Sequence, residues 1–147
     1  MSAPLTLSAE FRKIVEARMN QVLKGVEETF KQIIETQKIT PTELKYELES
    51  LQESFNLLFQ KWSLEILYTL LLKNALGFGG IKKILSVNSR TLSDKLKILQ
   101  THGYITRTVN VGPPLRVEYS LTAKGKNTVL LALPLLYYSS SSETKAA

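Results

Sequence analysis

Cysteine is absent from this 147-residue chain, and histidine occurs once, as His102. Without thiols the chain has no disulfide, no thiolate catalysis and no cysteine-based metal or redox site. A single histidine also excludes a metal site built on several imidazoles. No serine or aspartate pattern around His102 suggests a catalytic triad. We therefore predict an exposed turn residue there, and no enzymatic activity, metal or cofactor.

Long apolar runs are also lacking. The longest, 129–138, is about half as long as a membrane-spanning helix and contains Pro134. The first ten residues, MSAPLTLSAE, lack the basic segment and apolar stretch that are typical of a signal peptide. We therefore expect no membrane association and a cytoplasmic location.

The net charge of +6 is unevenly distributed along the chain. Residues 1–60 carry 7 basic and 9 acidic side chains, whereas residues 61–147 carry 12 basic and 4 acidic ones. A basic segment beside an acidic one indicates a polyanionic partner for one half of the chain. A lysine-rich solvated surface is the alternative, and charge alone does not separate the two.

The first 60 residues predict a helical hairpin. Apolar residues spaced three or four apart predict one long helix over 8–37, which Gly25 weakens but where it would suit a close helix contact. Thr40, Pro41 and Glu43 have the spacing of a capping box that starts a second helix. Both apolar stripes would stay half exposed in an isolated hairpin, so we predict a dimerisation element. Simple enlargement of the core is the alternative.

Residues 60–80 lead into the basic half of the chain. We predict a polar joint at 60–63, in which Ser63 caps a buried helix over Leu64–Asn74 and Trp62 anchors the core. The glycines at 77–80 predict a loop with at most a minimal strand. Their spacing matches neither common phosphate-binding motif.

Residues 79–103 have the pattern of a helix-turn-helix. The predicted helices are Gly79–Leu85 and Ser89–Gln100, with a turn at 87–88 and a small polar cap around 89–91. Gly103 would end the second helix. Its buried face is formed by residues at i, i+4 and i+7, namely Leu92, Leu96 and Leu99. In this motif the second helix presents its first turns to the major groove.

In the two segments that follow, Tyr104–Asn110 and Leu115–Leu121, apolar and polar residues alternate as in half-buried strands, and a turn at 111–114 joins them. Directly after a helix-turn-helix, such a hairpin indicates a wing. An ordinary hairpin with solvated arginines is the alternative. Three polar side chains lie near its tip or on its polar face and could reach phosphates or the minor groove: Arg107, Asn110 and Arg116.

The last predicted helix starts at 122–125 and is apolar over 129–136, with a bend or short break at Pro134. A helix that is apolar on all sides must be covered, and a second subunit is the simplest cover. We expect residues 1–7 to be a loose lead-in. The serine-rich end, 139–147, is expected to be a disordered tail.

Three segments make a family resemblance specific: KWSLEIL at 61–67, NSRTLSDKLKILQTHGYITR at 88–107 and PPLRVEYSLTAKG at 113–125. Over residues 62–138 the chain resembles the HxlR-type winged-helix transcriptional regulators, relatives in fold of the MarR-like group. The resemblance implies a homodimer that binds an inverted-repeat operator in double-stranded DNA. The DNA-facing positions it implies in the recognition helix are Ser89, Arg90, Thr91, Ser93, Asp94 and Lys95, supported from the wing by Arg107 and Arg116.

The residue types suggest which side chains would contact bases and which would contact phosphates. Arg90 could bind guanine through two hydrogen bonds. Asp94 could accept from a cytosine amino group, or it could orient Arg90 or Lys97 on its own helix. Phosphates would be neutralised by six cations, Lys82, Lys83, Lys95, Lys97, Arg107 and Arg116.

Three departures from the family pattern accompany the resemblance. Phe59-Gln60 replaces the glycines that usually precede Lys-Trp, Leu115 is one extra residue in the wing turn, and the sensing cysteine that many members carry is absent.

Two functions are the alternatives to a sequence-specific regulator: an architectural protein that coats DNA, and a winged-helix module that binds proteins.

The predicted fold is mainly α with a small β component. Residues 1–60 form the hairpin, 61–138 a winged helix-turn-helix domain and 139–147 the tail. No residue identifies an effector ligand.

Overall fold

The computed structural model describes residues 9–139, apart from the Phe11 side chain. Most of the predicted tail and the lead-in at 1–7 lie outside the described residues, and Ser139 belongs to the last helix. The six helices of the described part are α1 (Ala9–Gln37), α2 (Pro41–Phe59), α3 (Ser63–Lys73), α4 (Phe78–Leu85), α5 (Ser89–Thr101) and α6 (Ala123–Ser139). Its strands are β1 (Ala75–Leu76), β2 (Ile105–Asn110) and β3 (Arg116–Leu121). This is the predicted winged-helix order.

The described residues form two compact units, one over 54–133 and one that combines 9–53 with 134–139. The unit over 54–133 holds the helix-turn-helix and the wing. The proposed domain boundary at residue 60 stays a prediction.

The start of α2 is the predicted capping box. The Thr40 N–H donates to Glu43 Oε2 at 3.1 Å, and the Glu43 N–H donates to Thr40 Oγ1 at 3.2 Å. Pro41 occupies the first helical position, where no N–H partner is required. Local sequence was sufficient here because all the atoms involved lie within four residues.

The apolar stripes of α1 and α2 remain accessible. In α1, four residues of the predicted stripe are between 41% and 59% exposed, namely Val22, Val26, Phe30 and Ile33. In α2, Leu48, Leu51 and Phe55 are at least half exposed. A Cβ at Gly25 would meet nothing within 4 Å, so no residue in 9–139 makes a close helix contact there.

The core of the unit over 54–133 is built mainly from α3 and α5. Ile66, Leu67 and Leu70 of α3 are buried, and Trp62 packs against this core in a partly buried position, as predicted. The prediction that Ser63 caps α3 is wrong. Ser63 is the first residue of the helix, fully buried, and its hydroxyl donates to the Leu57 carbonyl at 2.8 Å.

The three strands form one antiparallel sheet in the order β1–β3–β2. The wing register pairs Ile105 with Leu121 and Asn110 with Arg116. The loop predicted at 77–80 is wrong, because α4 begins at Phe78 and contains Gly79 and Gly80. The minimal strand β1 lies directly before this helix. β1 pairs with the end of β3 and so joins the helical core to the wing.

Helix α6 is assigned as a single helix that includes Pro134. Several of its apolar side chains are exposed, including Leu131 and Leu135. No helix within residues 9–139 combines the length and the apolar character needed to cross a membrane.

Candidate nucleic-acid interface

Helix α5 has one buried face and one accessible face. Leu92, Leu96 and Leu99 are between 0% and 2% exposed, which confirms the predicted apolar stripe. The candidate DNA-facing residues lie off this stripe. Ser89, Arg90, Asp94 and Lys97 are exposed, and the half-buried ones are Thr91, Ser93 and Lys95. A helix anchored in this way can present the polar face of its first two turns to a groove.

The start of α5 is capped one residue earlier than the predicted 89–91. Asn88 has extended backbone, and its Oδ1 accepts a hydrogen bond from the Thr91 N–H at 2.8 Å. Ser89 is therefore the first helical residue, and its hydroxyl is not used as the cap. This leaves Ser89 and Arg90 at the exposed beginning of the helix.

We expect Asn88→Ala to lower the free energy of unfolding by about 1 kcal/mol, because it removes the acceptor for the Thr91 N–H. Asn88→Asp keeps an acceptor oxygen and should stay close to the original stability. Urea unfolding of the free protein, followed by circular dichroism, measures both variants. Equal losses in the two variants would contradict the capping role.

The end of α5 is a Schellman motif. Gly103 has φ +80°, and its N–H donates to the Gln100 carbonyl, while the Tyr104 N–H donates to the Leu99 carbonyl at 2.9 Å. This confirms Gly103 as the residue that ends the helix. His102 precedes it and is exposed, as predicted.

The start of α6 and the residue before it hold the end of α5 in place. Thr122 Oγ1 donates to the Gly103 carbonyl at 2.6 Å, and Lys124 Nζ donates to the His102 carbonyl at 2.8 Å. The Lys124 ammonium group also lies 4.5 Å from the centre of the Tyr104 ring. Neither Thr122 nor Lys124 was predicted to have this role. Both lie in the segment 113–125 that supports the family resemblance, and that motif is the signal by which they could have been found.

Lys82 and Lys83 lie in the last turn of α4 and are exposed. With Gly79, Ser86 and Asn88 they line a shallow depression beside the turn between α4 and α5. Two lysine side chains therefore lie beside the start of α5.

Lys95 is in contact with the turn between α2 and α3. Its ammonium group donates to Gln60 Oε1 at 2.5 Å. Gln60 belongs to the predicted polar joint at 60–63, for which no functional role was predicted. No local pattern could identify this pair, because 35 residues separate them.

The wing separates its candidate residues onto two faces. Because side chains alternate along a strand, Arg107 shares a face with Ile105, whereas Asn110 and Arg116 lie on the opposite face. Both arginines are exposed. Asn110 donates to Glu118 Oε1 at 3.0 Å, so its amide is already engaged. Arg107 and Arg116 therefore cannot contact a partner from the same face of the wing.

Asp94 makes no ion pair or hydrogen bond with another described side chain, so its carboxylate does not orient Arg90 or Lys97. Of the two roles predicted for Asp94, the structure leaves base recognition available.

Among residues 9–139, the acidic and histidine side chains form no group of three that could hold a metal ion.

The sequence model of the HxlR-like helix-turn-helix family matches residues 57–140 of the chain. The uncharacterized HTH-type transcriptional regulator YdzF of Bacillus subtilis is 36% identical over 75 residues, which cover 50% of this chain and 69% of that protein. An HTH-type regulator of Synechocystis sp. is 40% identical over 86 residues, 56% of this chain and 63% of that protein.

Two solved structures show the same fold. The reduced transcriptional regulator YodB of B. subtilis aligns with a TM-score of 0.56 at 22% identity, covering 69% of this chain and 91% of that one. A MarR-family regulator of Enterococcus faecalis V583 aligns with a TM-score of 0.56 at 27% identity, covering 67% and 87%. These proteins share the winged-helix architecture with the chain described here.

Proposed function

The chain belongs to the HxlR-like helix-turn-helix family of transcriptional regulators, and from that premise we propose that it binds an inverted-repeat operator as a homodimer. The observation that carries the proposal is the polar face of α5. It exposes Arg90, Asp94 and Lys97 while the opposite face is locked into the core by three leucines.

In this proposal the first two turns of α5 enter the major groove. Arg90 is exposed, and its side chain makes no hydrogen bond or ion pair within the described chain, so its guanidinium group is available for guanine. Asp94, one turn further along, is free to accept from a cytosine amino group. Ser89, Thr91 and Ser93 supply hydroxyl groups on the flanks of the same surface.

Phosphate contacts would come from both sides of α5. Lys82 and Lys83 lie before the helix start, Lys95 and Lys97 on the helix, and the wing adds one arginine on each of its faces. Binding of these cations releases condensed counterions from DNA, so affinity should fall steeply as salt rises. The Asn110 amide is hydrogen-bonded to Glu118 in the wing. Arg116 is therefore the main candidate for a DNA contact on that face.

The accessible apolar residues support a dimer formed through the N-terminal and C-terminal helices. α1, α2 and the last turns of α6 each expose leucine, valine or aromatic side chains. Exposed apolar surface of this extent is typical of an interaction site. A two-fold dimer presents two recognition helices, which matches an inverted repeat with half-sites about one helical turn, or a multiple of it, apart.

We assign no catalytic step to the protein. The absence of cysteine also means that a signal, if one acts on this protein, does not reach it through a thiol. The proposed compartment is the cytoplasm.

The test is selection from random-sequence duplex DNA at two salt concentrations, with light scattering on the same sample. We expect enrichment of an inverted repeat, stronger retention at low salt, and twice the mass of one chain. Salt-sensitive binding without an enriched sequence would replace the proposal by an architectural role. No binding at low salt would favour a protein-interaction module.

A further inference from the structure

We propose that Gln60, in the turn between α2 and α3, is a positioning residue that holds the Lys95 ammonium group ready for a DNA phosphate. The inference rests on the proposed DNA binding and extends it to a residue outside the helix-turn-helix and the wing. Its basis is the hydrogen bond from Lys95 Nζ to Gln60 Oε1, 2.5 Å long. A charged donor makes such a bond stronger than one between neutral groups.

The backbone that carries Gln60 is held on both sides. The Gln60 N–H donates to the Leu57 carbonyl at 3.3 Å, and the Ser63 N–H donates to the Gln60 carbonyl at 3.2 Å. The buried Ser63 hydroxyl donates to the same Leu57 carbonyl, and Trp62 between them adopts a left-handed conformation. The Gln60 side chain therefore extends from a fixed turn, so its amide oxygen can serve as an anchor.

Lys95 differs in this respect from Lys97 on the same helix. Lys95 is half-buried and hydrogen-bonded, whereas Lys97 is exposed and has no such partner within the described chain. A lysine that becomes fixed on a phosphate loses rotamer freedom, which opposes binding. Because Gln60 restricts Lys95 in advance, less freedom is lost there on binding. An ammonium group has three N–H donors, so two remain for the phosphate.

The test is a double-mutant cycle on binding to random-sequence duplex DNA across a salt series. It compares the original protein with Gln60→Ala, Lys95→Met and their combination. Lys97→Met, alone and with Gln60→Ala, provides the matched control. Thermal unfolding of each free variant checks that it folds.

We expect Gln60→Ala to weaken binding about threefold to tenfold, a size usual for side chains in contact. It should have no further effect once Lys95 is Met, but its full effect when Lys97 is Met. Each lysine substitution should lower the slope of log affinity against log salt by about one. Gln60→Ala should keep the slope, because the Lys95 charge remains.

An equal effect of Gln60→Ala with and without Lys95 would overturn the positioning role, since the loss would then be structural. Unchanged or tighter binding of Gln60→Ala would overturn it as well, the latter because Gln60 would be keeping Lys95 away from DNA. In each of these cases binding by the original protein leaves the proposed function standing. Failure of the original protein to bind at low salt would remove both proposals.

Discussion

Replacing Gly125 by alanine is expected to lower the free energy of unfolding by about 3 kcal/mol or more. A Cβ at this position would lie 2.0 Å from the Tyr104 carbonyl oxygen and 3.2 Å from Leu121 Cδ2. The nearest atom belongs to the backbone, so no side-chain rotation relieves the overlap. The first turn of α6 must therefore move away from the residue that links α5 to β2.

This displacement should also affect DNA binding. Lys124 lies in the same turn and Thr122 directly before it, and they donate hydrogen bonds to the carbonyls of His102 and Gly103 at the end of α5. If the turn moves, these bonds lengthen and α5 is held less firmly. Weaker binding is therefore expected even at temperatures at which the variant is still folded.

The control for Gly125→Ala is Gly79→Ala. A Cβ at Gly79, inside α4, would meet nothing within 4 Å. Since alanine favours helix over glycine, this variant should be unchanged or more stable by up to about 1 kcal/mol. Urea unfolding of both variants gives the comparison. A Gly125→Ala protein that unfolds at the original urea concentration would refute the close approach of α6 to Tyr104.

Arg90→Ala is expected to abolish the preference for one base in each half-site, a loss of about 1–3 kcal/mol of discrimination. Arg90 lies in the first turn of α5 beyond the Asn88 cap, exposed and without a partner in the described chain. Binding to the enriched operator and to single-base variants of it measures the effect. Preference at the other positions should persist.

The matched variant for this prediction is Arg90→Lys, which keeps the charge but loses the planar pair of donors. If Arg90 reads guanine, lysine should not restore the base preference, although the salt dependence remains. If Arg90 binds a phosphate, alanine should weaken all sequences equally and lysine should recover most of the affinity. The second result would contradict the assigned role and favour DNA coating.

Elements with local causes could be predicted from sequence. The leucines of α5 recur at helical spacing, so their common face follows from geometry alone. The Thr40–Glu43 capping box and the glycine after α5 depend on atoms a few residues apart, and both were predicted. The family signature in turn made the winged-helix fold and the regulator family predictable.

The start of α5 shows the limit of local prediction. Asn88, Ser89 and Thr91 are all plausible caps, because each carries an oxygen that can accept from a backbone N–H. The cap is the residue that has extended backbone, Asn88, and the residue types alone do not identify it. Ser63 is similar, because its hydroxyl could cap a helix but is buried against the Leu57 carbonyl instead.

Most of the helices, the wing and the basic character of the second half could be predicted, because these follow from periodicity and composition. Which polar side chains are hydrogen-bonded and which are free depends on how the elements pack. Two sets of hydrogen bonds join residues that are distant in sequence: the bond between Gln60 and Lys95, and the bonds from Thr122 and Lys124 to the end of α5. Strand register places Arg107 and Arg116 on opposite faces of the wing. Such contacts produce no periodic pattern in the sequence, since they form only when separate elements pack together.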